Sequence, residues 1–402
     1  MDAVRILHVT PYYKPAYAFG GVVRSVEGMA MALVERGHDV TILTTDALDQ
    51  RRRYRGPLDE RIDGVRVLRR PNVSQRLRGG LNLSTPRSMK KTAEVILPAI
   101  DIVHLHEFRT LENLLVTPVA RQLVKPMLLS PHGTLNLSTG RGSLKSAWDR
   151  ILSPAVAARI DHVSALSESE LAEAKTLWRR FGARQQPTRF SVIPNGVQLE
   201  DYDRTKAAAD FHAQFGLADA PAVLFMGRLH KRKGVDVLIK AFKAADVADA
   251  RLLIVGPDDG MLQTLNALTG GDRRVTFTGY LEGAARLGAL AAADIFALPA
   301  TGEGQPIAAL EALAAGLPVV LSPGCNLDAA AEIGAGYVVE AKVDAFAEKL
   351  RTLLTDAGLR RRMGAKARRL AKERYAWDSI AERLERVYLA VAQRSNRAVV
   401  AQ

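Results

Sequence analysis

The sequence predicts an α/β protein made of two doubly wound domains, each built on a parallel sheet. Short apolar runs of strand length alternate along the chain with longer segments whose apolar residues recur at helical spacing. Such alternation is typical of parallel strands joined by crossover helices. The series is interrupted at residues 192–197 (Val-Ile-Pro-Asn-Gly-Val), which indicate a strand running into a turn, and it resumes at Val223. We therefore predict one domain over residues 1–195 and a second over residues 196–380.

The first domain begins with a strand at residues 5–10, a loop at 11–20 and a helix at 21–36 that Gly37 ends. Ser167 and Glu170 have the spacing of a capping box and open a helix that runs to about residue 180. The other predicted strands are 40–44, 65–68, 102–105, 127–130 and 161–165, and the other helices are 86–97, 111–123 and 144–158.

The second domain repeats this order. Its predicted strands are 223–226, 252–255, 275–278, 295–298, 319–321 and 337–339. Its predicted helices are 234–246, 261–268, 284–292 and 306–315, followed by 343–355, 358–374 and 376–393.

Composition narrows the class of protein. Hydrophobic residues make up 48% of the 402 residues and charged residues 25%, which is ordinary for a soluble globular protein. The single cysteine, Cys325, excludes a disulfide framework and predicts a reducing compartment. We expect no signal peptide, because the N-terminal apolar run is short and interrupted. The net charge of +13 favours anionic partners such as nucleotides or anionic lipid, whereas no nucleic-acid-binding motif is present.

Two carboxylates stand out in residues 294–322, which predict a strand, a Gly-rich loop, a helix and a second strand. Glu303 lies in the loop, and Glu311 lies in an otherwise apolar helix that we expect Pro306 to open. A charge at residue 311 is costly unless a partner is present. Open α/β sheets bind ligands at the carboxyl ends of their strands, where both carboxylates are predicted to lie.

The segment 226–234 (Met-Gly-Arg-Leu-His-Lys-Arg-Lys-Gly) is the strongest candidate for anion binding. It follows a predicted strand and precedes a predicted helix, so that Arg228 and Lys233 lie where a diphosphate would bind. The alternative is an ordinary solvated basic loop.

Two weaker signals lie in the first domain. Gly20 and Gly21 separate the first strand from the first helix and would let an anion approach the backbone, although a mere turn is an equal alternative. His132 follows the strand at 127–130 and is predicted at the carboxyl edge of the sheet. His104 and His106 alternate on a strand, and we expect neither to have the partners that a metal site needs.

Three features together resemble one known family. They are the pattern Glu-x7-Glu at 303–311, the following Ala-x3-Gly-x-Pro-Val-Val, and Gly-Arg-x4-Lys-Gly at 227–234. The chain resembles the retaining, nucleotide-sugar-dependent glycosyltransferases of family 4 over nearly its whole length. That resemblance implies the GT-B fold, with two Rossmann-like domains facing a cleft and a last helix, residues 381–402, that crosses back to the first domain.

The resemblance also implies residue roles. Glu311 would accept hydrogen bonds from the ribose, Glu303 would hold the transferred sugar, and His132 would contact that sugar. The implied catalytic residues are His132, Arg228, Lys233 and Glu303, and the donor-binding residues are Gly20, Gly21, Arg228, Lys233, Gly256, Tyr280, Glu303, Gly304, Gln305 and Glu311. One departure is Gln305-Pro306, where many members have Phe-Gly, because proline supplies no backbone N–H.

The implied reaction transfers a sugar from a nucleotide diphosphate sugar to a carbohydrate or lipid-linked acceptor with retention, in cell-surface polysaccharide or glycolipid synthesis. We expect same-face attack rather than double displacement on Glu303. We expect no metal or other cofactor, because the one Asp-x-Asp, at residues 201–203, follows the domain boundary rather than a strand of the site. The alternatives are an inverting GT-B enzyme, a non-hydrolysing epimerase, and a non-catalytic nucleotide- or polyanion-binding protein.

Residues 51–91 predict docking on an anionic membrane. They hold thirteen basic and three acidic residues, a surplus of ten, punctuated by Leu77, Leu81 and Leu83. Basic residues near an anionic bilayer contribute about 1 kcal/mol each. We therefore expect a cytoplasmic protein with peripheral attachment to the inner membrane face, against the alternatives of a solvated basic loop or one that meets an anionic polysaccharide.

Overall fold

The chain folds into two compact units in a computed structural model that describes residues 3–74, 77–78, 83–136, 142–182, 189–199, 205–215, 217 and 220–400. Unit 1 comprises residues 1–195 together with the chain from Trp377 onward, and unit 2 comprises Gly196–Ala376. The chain therefore returns to unit 1 at Trp377, four residues before the predicted position 381.

Unit 1 is built on an eight-stranded sheet in the order β3-β4-β2-β1-β5-β6-β7-β8. The strands are β1 Arg5–Val9, β2 Asp39–Thr45, β3 Asp59–Ile62, β4 Val65–Arg70, β5 Ile102–His106, β6 Met127–Ser130, β7 His162–Ala165 and β8 Arg189–Val192. All pairs are parallel except the edge pair β3–β4. The sequence did not predict β3, because its polar residues (Asp-Glu-Arg-Ile) lack the apolar run of a strand buried on both faces.

Helices of unit 1 precede its return segment in the part of the chain that the structure describes. They are α1 Gly21–Glu35, α2 Met89–Ile96, α3 Leu111–Gln122, α4 Gly142–Ile151, α5 Ser153–Ala157 and α6 Glu168–Arg180. The single helix predicted over 144–158 is in fact two, α4 and α5. Pro154 has no N–H for an intrahelical bond and is favoured in a first turn, so it opens a new helix.

Unit 2 is built on a six-stranded parallel sheet in the order β11-β10-β9-β12-β13-β14. The strands are β9 Ala222–Met226, β10 Arg251–Val255, β11 Val275–Gly279, β12 Ile295–Leu298, β13 Val319–Leu321 and β14 Gly336–Val338. The helices are α7 Thr205–Phe215, α8 Val235–Ala245, α9 Leu262–Thr269, α10 Gly283–Ala292, α11 Ile307–Ala314, α12 Ala329–Glu332, α13 Val343–Thr355 and α14 Ala357–Leu370. Helices α7 and the one-turn α12 were not predicted from the sequence.

Each sheet has a switch point where successive crossovers leave a strand in opposite directions. In unit 2 it lies between β9 and β12, and in unit 1 between β1 and β5. Crevices outside the carboxyl ends of such strands are where open α/β sheets bind ligands. The loops after β1, β9 and β12 carry several of the candidate site residues, and the others follow the adjacent strands β6, β10 and β11 or lie in the helix after β12.

The last helix, α15 (Trp377–Val400), belongs to unit 1 and packs against α1. Arg36 pairs with Glu385 at 2.7 Å, and His38 Nε2 lies 2.8 Å from the same carboxylate. The guanidinium of Arg36 lowers the pKa of Glu385 below its ordinary value. Gly28 of α1 is a close-approach position, because a Cβ there would lie 2.2 Å from the indole of Trp377. These contacts attach the C-terminal segment to unit 1.

Among the residues that the structure describes, no helix combines the length and the apolar character that crossing a bilayer requires.

Candidate active site

The basic loop after β9 has a defined backbone conformation. Leu229 N–H donates to the Pro257 carbonyl at 2.9 Å, and Thr301 N–H donates to the Arg232 carbonyl at 2.8 Å. Gly234 ends the loop in the left-handed region at φ +66°, and a Cβ there would lie 2.3 Å from the Pro299 carbonyl oxygen. The loop is thus fastened to the chain that follows both neighbouring strands, β10 and β12.

Both predicted diphosphate ligands lie in this loop, and each is paired with a carboxylate. Lys233 Nζ lies 2.8 Å from Glu303 Oε2, and Arg228 Nη1 lies 2.9 Å from Asp259 Oδ2. The side chains are partly buried, and Arg228, the most exposed, retains 39% of its accessible surface. The structure therefore brings Lys233 and Glu303 together, 70 residues apart in sequence. Asp259 was missed, because nothing in its own sequence neighbourhood marks it.

The loop that carries Glu303 is shaped by one asparagine. Asn326 Nδ2 donates to the Glu303 carbonyl at 2.6 Å and to the Gly304 carbonyl at 3.0 Å. Glu303 N–H in turn donates to the Gly324 carbonyl at 2.8 Å. Gln305 is buried at the end of this loop. Asn326, in the left-handed region at φ +52°, was not predicted to have a role.

The helix after this loop begins one residue later than predicted. Pro306 has an extended backbone at φ −72° and ψ 119° and caps α11 from outside instead of occupying its first position. Because Pro306 precedes the helix, its missing N–H removes no helical hydrogen bond. Its carbonyl accepts from Ala309 N–H at 3.0 Å.

Glu311 has a partner within the protein. It is 5% exposed in α11, and its Oε1 lies 2.5 Å from Nη1 of Arg286 in α10. The partner that a charge in this apolar helix needs is Arg286, which was not predicted from the sequence. The buried charge alone is therefore no sign of a ligand, and a ribose contact would use the carboxylate that Arg286 already orients.

Gly256 and Tyr280 follow β10 and β11. Gly256 has φ +149°, and a Cβ there would lie 1.8 Å from the Gly227 carbonyl oxygen, so glycine is required by the packing of two loops. Tyr280 follows Gly279, which has φ +73°, and its side chain is 44% exposed. Tyr280 is thus accessible at the carboxyl edge of the unit 2 sheet.

The glycine pair of unit 1 lies at the start of a long helix. Gly20, at φ +99°, is the N-cap of α1, and Gly21 is its first residue. The positive φ explains why glycine stands at residue 20. This 15-residue helix directly follows the loop after β1.

His132 lies in a strained and buried turn after β6. Its φ is +54°, and the N–H of the next residue, Gly133, donates to the carboxylate of Glu170. Glu170 also accepts from Leu166 N–H at 2.7 Å, while Ser167 Oγ accepts from Glu170 N–H at 3.2 Å. Only half of the predicted capping box forms, because the carboxylate holds the His132 turn instead. Burial raises the pKa of Glu170 to about 7.

Behind His132 lies a cluster of three fully buried histidines on β1 and β5. Ring nitrogens of His8, His104 and His106 lie within 4.8 Å of one another, the one group in the described part of the chain with the composition and spacing of a metal site. The expectation that neither His104 nor His106 has the partners that a metal site needs is therefore wrong, because His8 completes a trio. His104 bonds to Tyr388 Oη at 2.7 Å and to Ser130 Oγ at 2.8 Å, and His8 Nδ1 lies 2.8 Å from His106 Nε2.

Much of the basic stretch over residues 51–91 is already paired or buried. Arg78 is fully buried beside the stacked rings of Tyr12 and Phe19, with its guanidinium carbon 3.9 and 3.8 Å from their centroids. Arg69 is buried beside Glu60. The further pairs are Arg52–Asp49, Arg53–Asp46 and Arg66–Asp59. The surplus of positive charge at the surface is accordingly smaller than the sequence count.

Arg76 and Leu81 of the basic stretch, and the Asp-x-Asp at residues 201–203, lie outside the described residues. Their part in membrane docking, and the expectation that the Asp-x-Asp serves no metal site, therefore stay predictions.

Comparison with known proteins identifies the class of both halves of the chain. A family model described as Glycosyltransferase Family 4 matches residues 19–201, and one described as Glycosyl transferases group 1 matches residues 209–370. The chain is 30% identical to the D-inositol 3-phosphate glycosyltransferase of Nocardia farcinica, over 96% of this chain and 89% of that protein. It is also 30% identical to the phosphatidyl-myo-inositol mannosyltransferase of Mycobacterium leprae, over 75% of this chain and 76% of that protein.

Solved structures give the fold. Anabaena HepE in complex with UDP-glucose aligns with a TM-score of 0.74 at 20% identity, covering 96% of this chain and 99% of that one. The chain therefore has the GT-B fold class predicted from its sequence. The two family models and these relatives agree. The chain is therefore a glycosyltransferase related to family 4 and to the group 1 glycosyl transferases.

Proposed function

We propose that this glycosyltransferase transfers a hexose from a nucleoside diphosphate sugar to a carbohydrate or lipid-linked acceptor with retention at the anomeric carbon. The observation that carries the proposal is the Lys233–Glu303 pair at the switch point of the unit 2 sheet. A cation for the diphosphate and a carboxylate for sugar hydroxyls lie there on adjacent loops. The pair is accessible enough to be rearranged by a ligand, since each side chain retains nearly a fifth of its surface.

The leaving group sets the electrostatic demand of the reaction. As the bond between the anomeric carbon and the phosphate oxygen breaks, negative charge grows on the diphosphate, and preorganised cations stabilise it. Lys233 and Arg228 supply that charge in the proposal. The acceptor oxygen bonds to the anomeric carbon on the same face, and its proton passes to the departing phosphate oxygen. Lys233 holds the Glu303 carboxylate in an ion pair, which favours this route over a double displacement on Glu303.

The remaining donor contacts are proposed on the family resemblance together with the local geometry of each unit. In unit 2, Glu311 would bond to ribose hydroxyls while Arg286 holds its other oxygen, and Tyr280 would lie beside the base. The backbone of Gly304 and the side chain of Gln305 would complete the sugar contacts, and the backbone of Gly256 would contact the donor. In unit 1, Gly20, Gly21 and His132 would contact the donor.

The acceptor is proposed as a polyol or carbohydrate, free or carried on a lipid. The names of both relatives mention inositol. The Nocardia protein is named for inositol 3-phosphate, and the Mycobacterium protein is named for phosphatidyl-myo-inositol. A lipid-linked acceptor would suit a cytoplasmic enzyme that visits an anionic membrane face through the basic residues still exposed. Metal independence is part of the proposal, because protein cations suffice to neutralise the diphosphate.

Ligand-dependent stabilisation tests the donor directly. The chain is heated with UDP-, GDP- and ADP-sugars and with the matching free nucleoside diphosphates. A ligand at 100 times its dissociation constant adds about 2.7 kcal/mol of stability. We expect one base to stabilise the chain and the Lys233→Ala variant to lose that response. Absence of any stabilisation by all three donors would contradict the proposal.

A further inference from the structure

The buried histidines of unit 1 form a continuous hydrogen-bonded chain that ends at His132. His8 Nδ1 lies 2.8 Å from His106 Nε2, and His106 Nδ1 lies 2.9 Å from His132 Nε2. His8 and His106 are fully buried, and His132 is nearly so. The ring nitrogen of His132 that remains for a ligand is therefore Nδ1.

All three rings of this chain are neutral near pH 7. Burial lowers the pKa of His8 to about 3 and that of His132 to about 4, and it lowers the pKa of His106 well below its ordinary value. A neutral imidazole donates from one nitrogen and accepts at the other. Because His106 has one of each, both hydrogen bonds must run in the same direction, and the tautomer of one ring fixes the tautomers of all three.

The direction of these two hydrogen bonds is set at His8, the histidine farthest from His132. His8 Nε2 is buried and has no hydrogen-bond partner among the residues that the structure describes. A buried N–H without an acceptor is rarer in proteins than an acceptor without a donor. His8 Nε2 is therefore the unprotonated nitrogen, so that His8 Nδ1–H donates to His106 and His106 Nδ1–H donates to His132.

We propose that His8 and His106 act as positioning residues that lock His132 in the Nδ1–H tautomer. His132 then presents a hydrogen-bond donor to a hydroxyl oxygen of the transferred sugar, and its remaining nitrogen, Nδ1, has no lone pair with which to act as a base. This deepens the proposed function and rests on it for the identity of the ligand. It also agrees with the leaving phosphate, and not a histidine, as acceptor of the proton.

The turn that carries His132 supports this role. Glu170 holds the N–H groups of Gly133 and Leu166, which fixes the backbone of residue 132 in the left-handed region. Backbone strain of this kind persists where the surroundings over-determine it, and it concentrates at functional sites. The backbone of His132 and the tautomer of its ring are thus fixed by two separate sets of contacts.

The test is the tautomer itself. Long-range proton–nitrogen NMR of the full chain, labelled with ¹⁵N at its histidines, distinguishes Nδ1–H, Nε2–H and metal-bound rings without any donor present. We expect Nδ1–H at His132 in the wild type. His106→Leu removes the donor to Nε2 and should shift His132 towards Nε2–H, whereas His106→Asn keeps a donor at the same place and should preserve Nδ1–H. Tyr388→Phe is the matched control, because it removes a hydrogen bond from His104 in the same cluster but leaves the hydrogen bonds among His8, His106 and His132 in place.

Kinetics provide the second readout. We expect His106→Leu to raise the KM for the donor about tenfold, the scale of one lost hydrogen bond, with a smaller effect on kcat. His106→Asn and Tyr388→Phe should remain near wild type. An Nε2–H signal at His132 in the wild type, or stoichiometric metal bound by His8, His104 and His106, would overturn the inference. If Nδ1–H is observed but His132→Leu leaves donor turnover unchanged, the donor role proposed for His132 fails while the tautomer assignment stands.

Discussion

The Arg286–Glu311 pair allows a prediction whose size follows from its burial. Both side chains are largely removed from water, and Nη1 and Oε1 are 2.5 Å apart. Removing one partner of a buried ion pair costs about 3–5 kcal/mol, because the other charge is left without compensation. Since Arg286 retains some exposure, we expect Arg286→Ala to lower the free energy of unfolding by about 3 kcal/mol, at the lower end of that range. For a domain of this size, that corresponds to a fall in Tm of about 6–12 °C.

The assay must report on unit 2. The three tryptophans, Trp148, Trp178 and Trp377, all belong to unit 1, so their fluorescence follows the wrong unit. Hydrogen exchange of peptides from α10 and α11 measures the affected region, with the β1 and β5 peptides of unit 1 as an internal reference. Calorimetry supplies the Tm.

A double-mutant cycle separates the pair from the loss of either side chain. Arg286→Met combined with Glu311→Gln removes both charges at similar volume, and we expect it to be more stable than Arg286→Ala alone. A coupling energy of about 2 kcal/mol is expected for groups in direct contact. If Arg286→Ala exchanges and melts like the wild type, Arg286 does not hold Glu311 and the account of this helix is wrong. In the same series, Glu311→Ala should weaken binding of free nucleoside diphosphate in titration calorimetry, and equal affinity would refute the ribose contact.

Three further predictions concern the diphosphate, the metal and the membrane. Arg228→Ala or Lys233→Ala should reduce turnover about a hundredfold, the scale of a lost transition-state stabiliser, and near-wild-type rates in both would remove their proposed role. Activity should survive EDTA, and activity that is lost on chelation and restored by magnesium or manganese would contradict metal independence. Binding to anionic vesicles should be weak and salt-sensitive, and it should fall further when the exposed Arg51, Arg55 and Arg61 are changed together to Glu. Co-sedimentation that ignores lipid charge and salt would exclude docking through this surface.

Local sequence patterns predicted most of the fold, because buried parallel strands and amphipathic helices leave strong signals. The strand β12 and the strand β6 lie where their apolar runs predicted them. The errors occurred where a local pattern was weak or was interrupted by one residue. Polar β3 at the sheet edge has no apolar run, and Pro154 divides a helix that otherwise has continuous apolar spacing.

The candidate site was only partly predictable, because its contacts join residues that are distant in sequence. Lys233 and Glu303 were each predicted from a motif, but their ion pair was not. Arg286 and Asp259 lie in no motif, and they became visible only through the carboxylate and the guanidinium that they contact. His8 likewise appears in sequence as one residue of an apolar strand, and its link to His106 depends on the pairing of β1 with β5.

The stereochemistry of transfer tests the central claim most directly. The purified chain is incubated with α-configured UDP-glucose or GDP-mannose and with an inositol phosphate or phosphatidylinositol vesicles, and the anomeric configuration of the first product is read by NMR. We expect a transferred sugar that keeps the α configuration, with loss of product formation in Lys233→Ala. A β-linked product, or full activity in that variant, would contradict retaining transfer at the Lys233–Glu303 site.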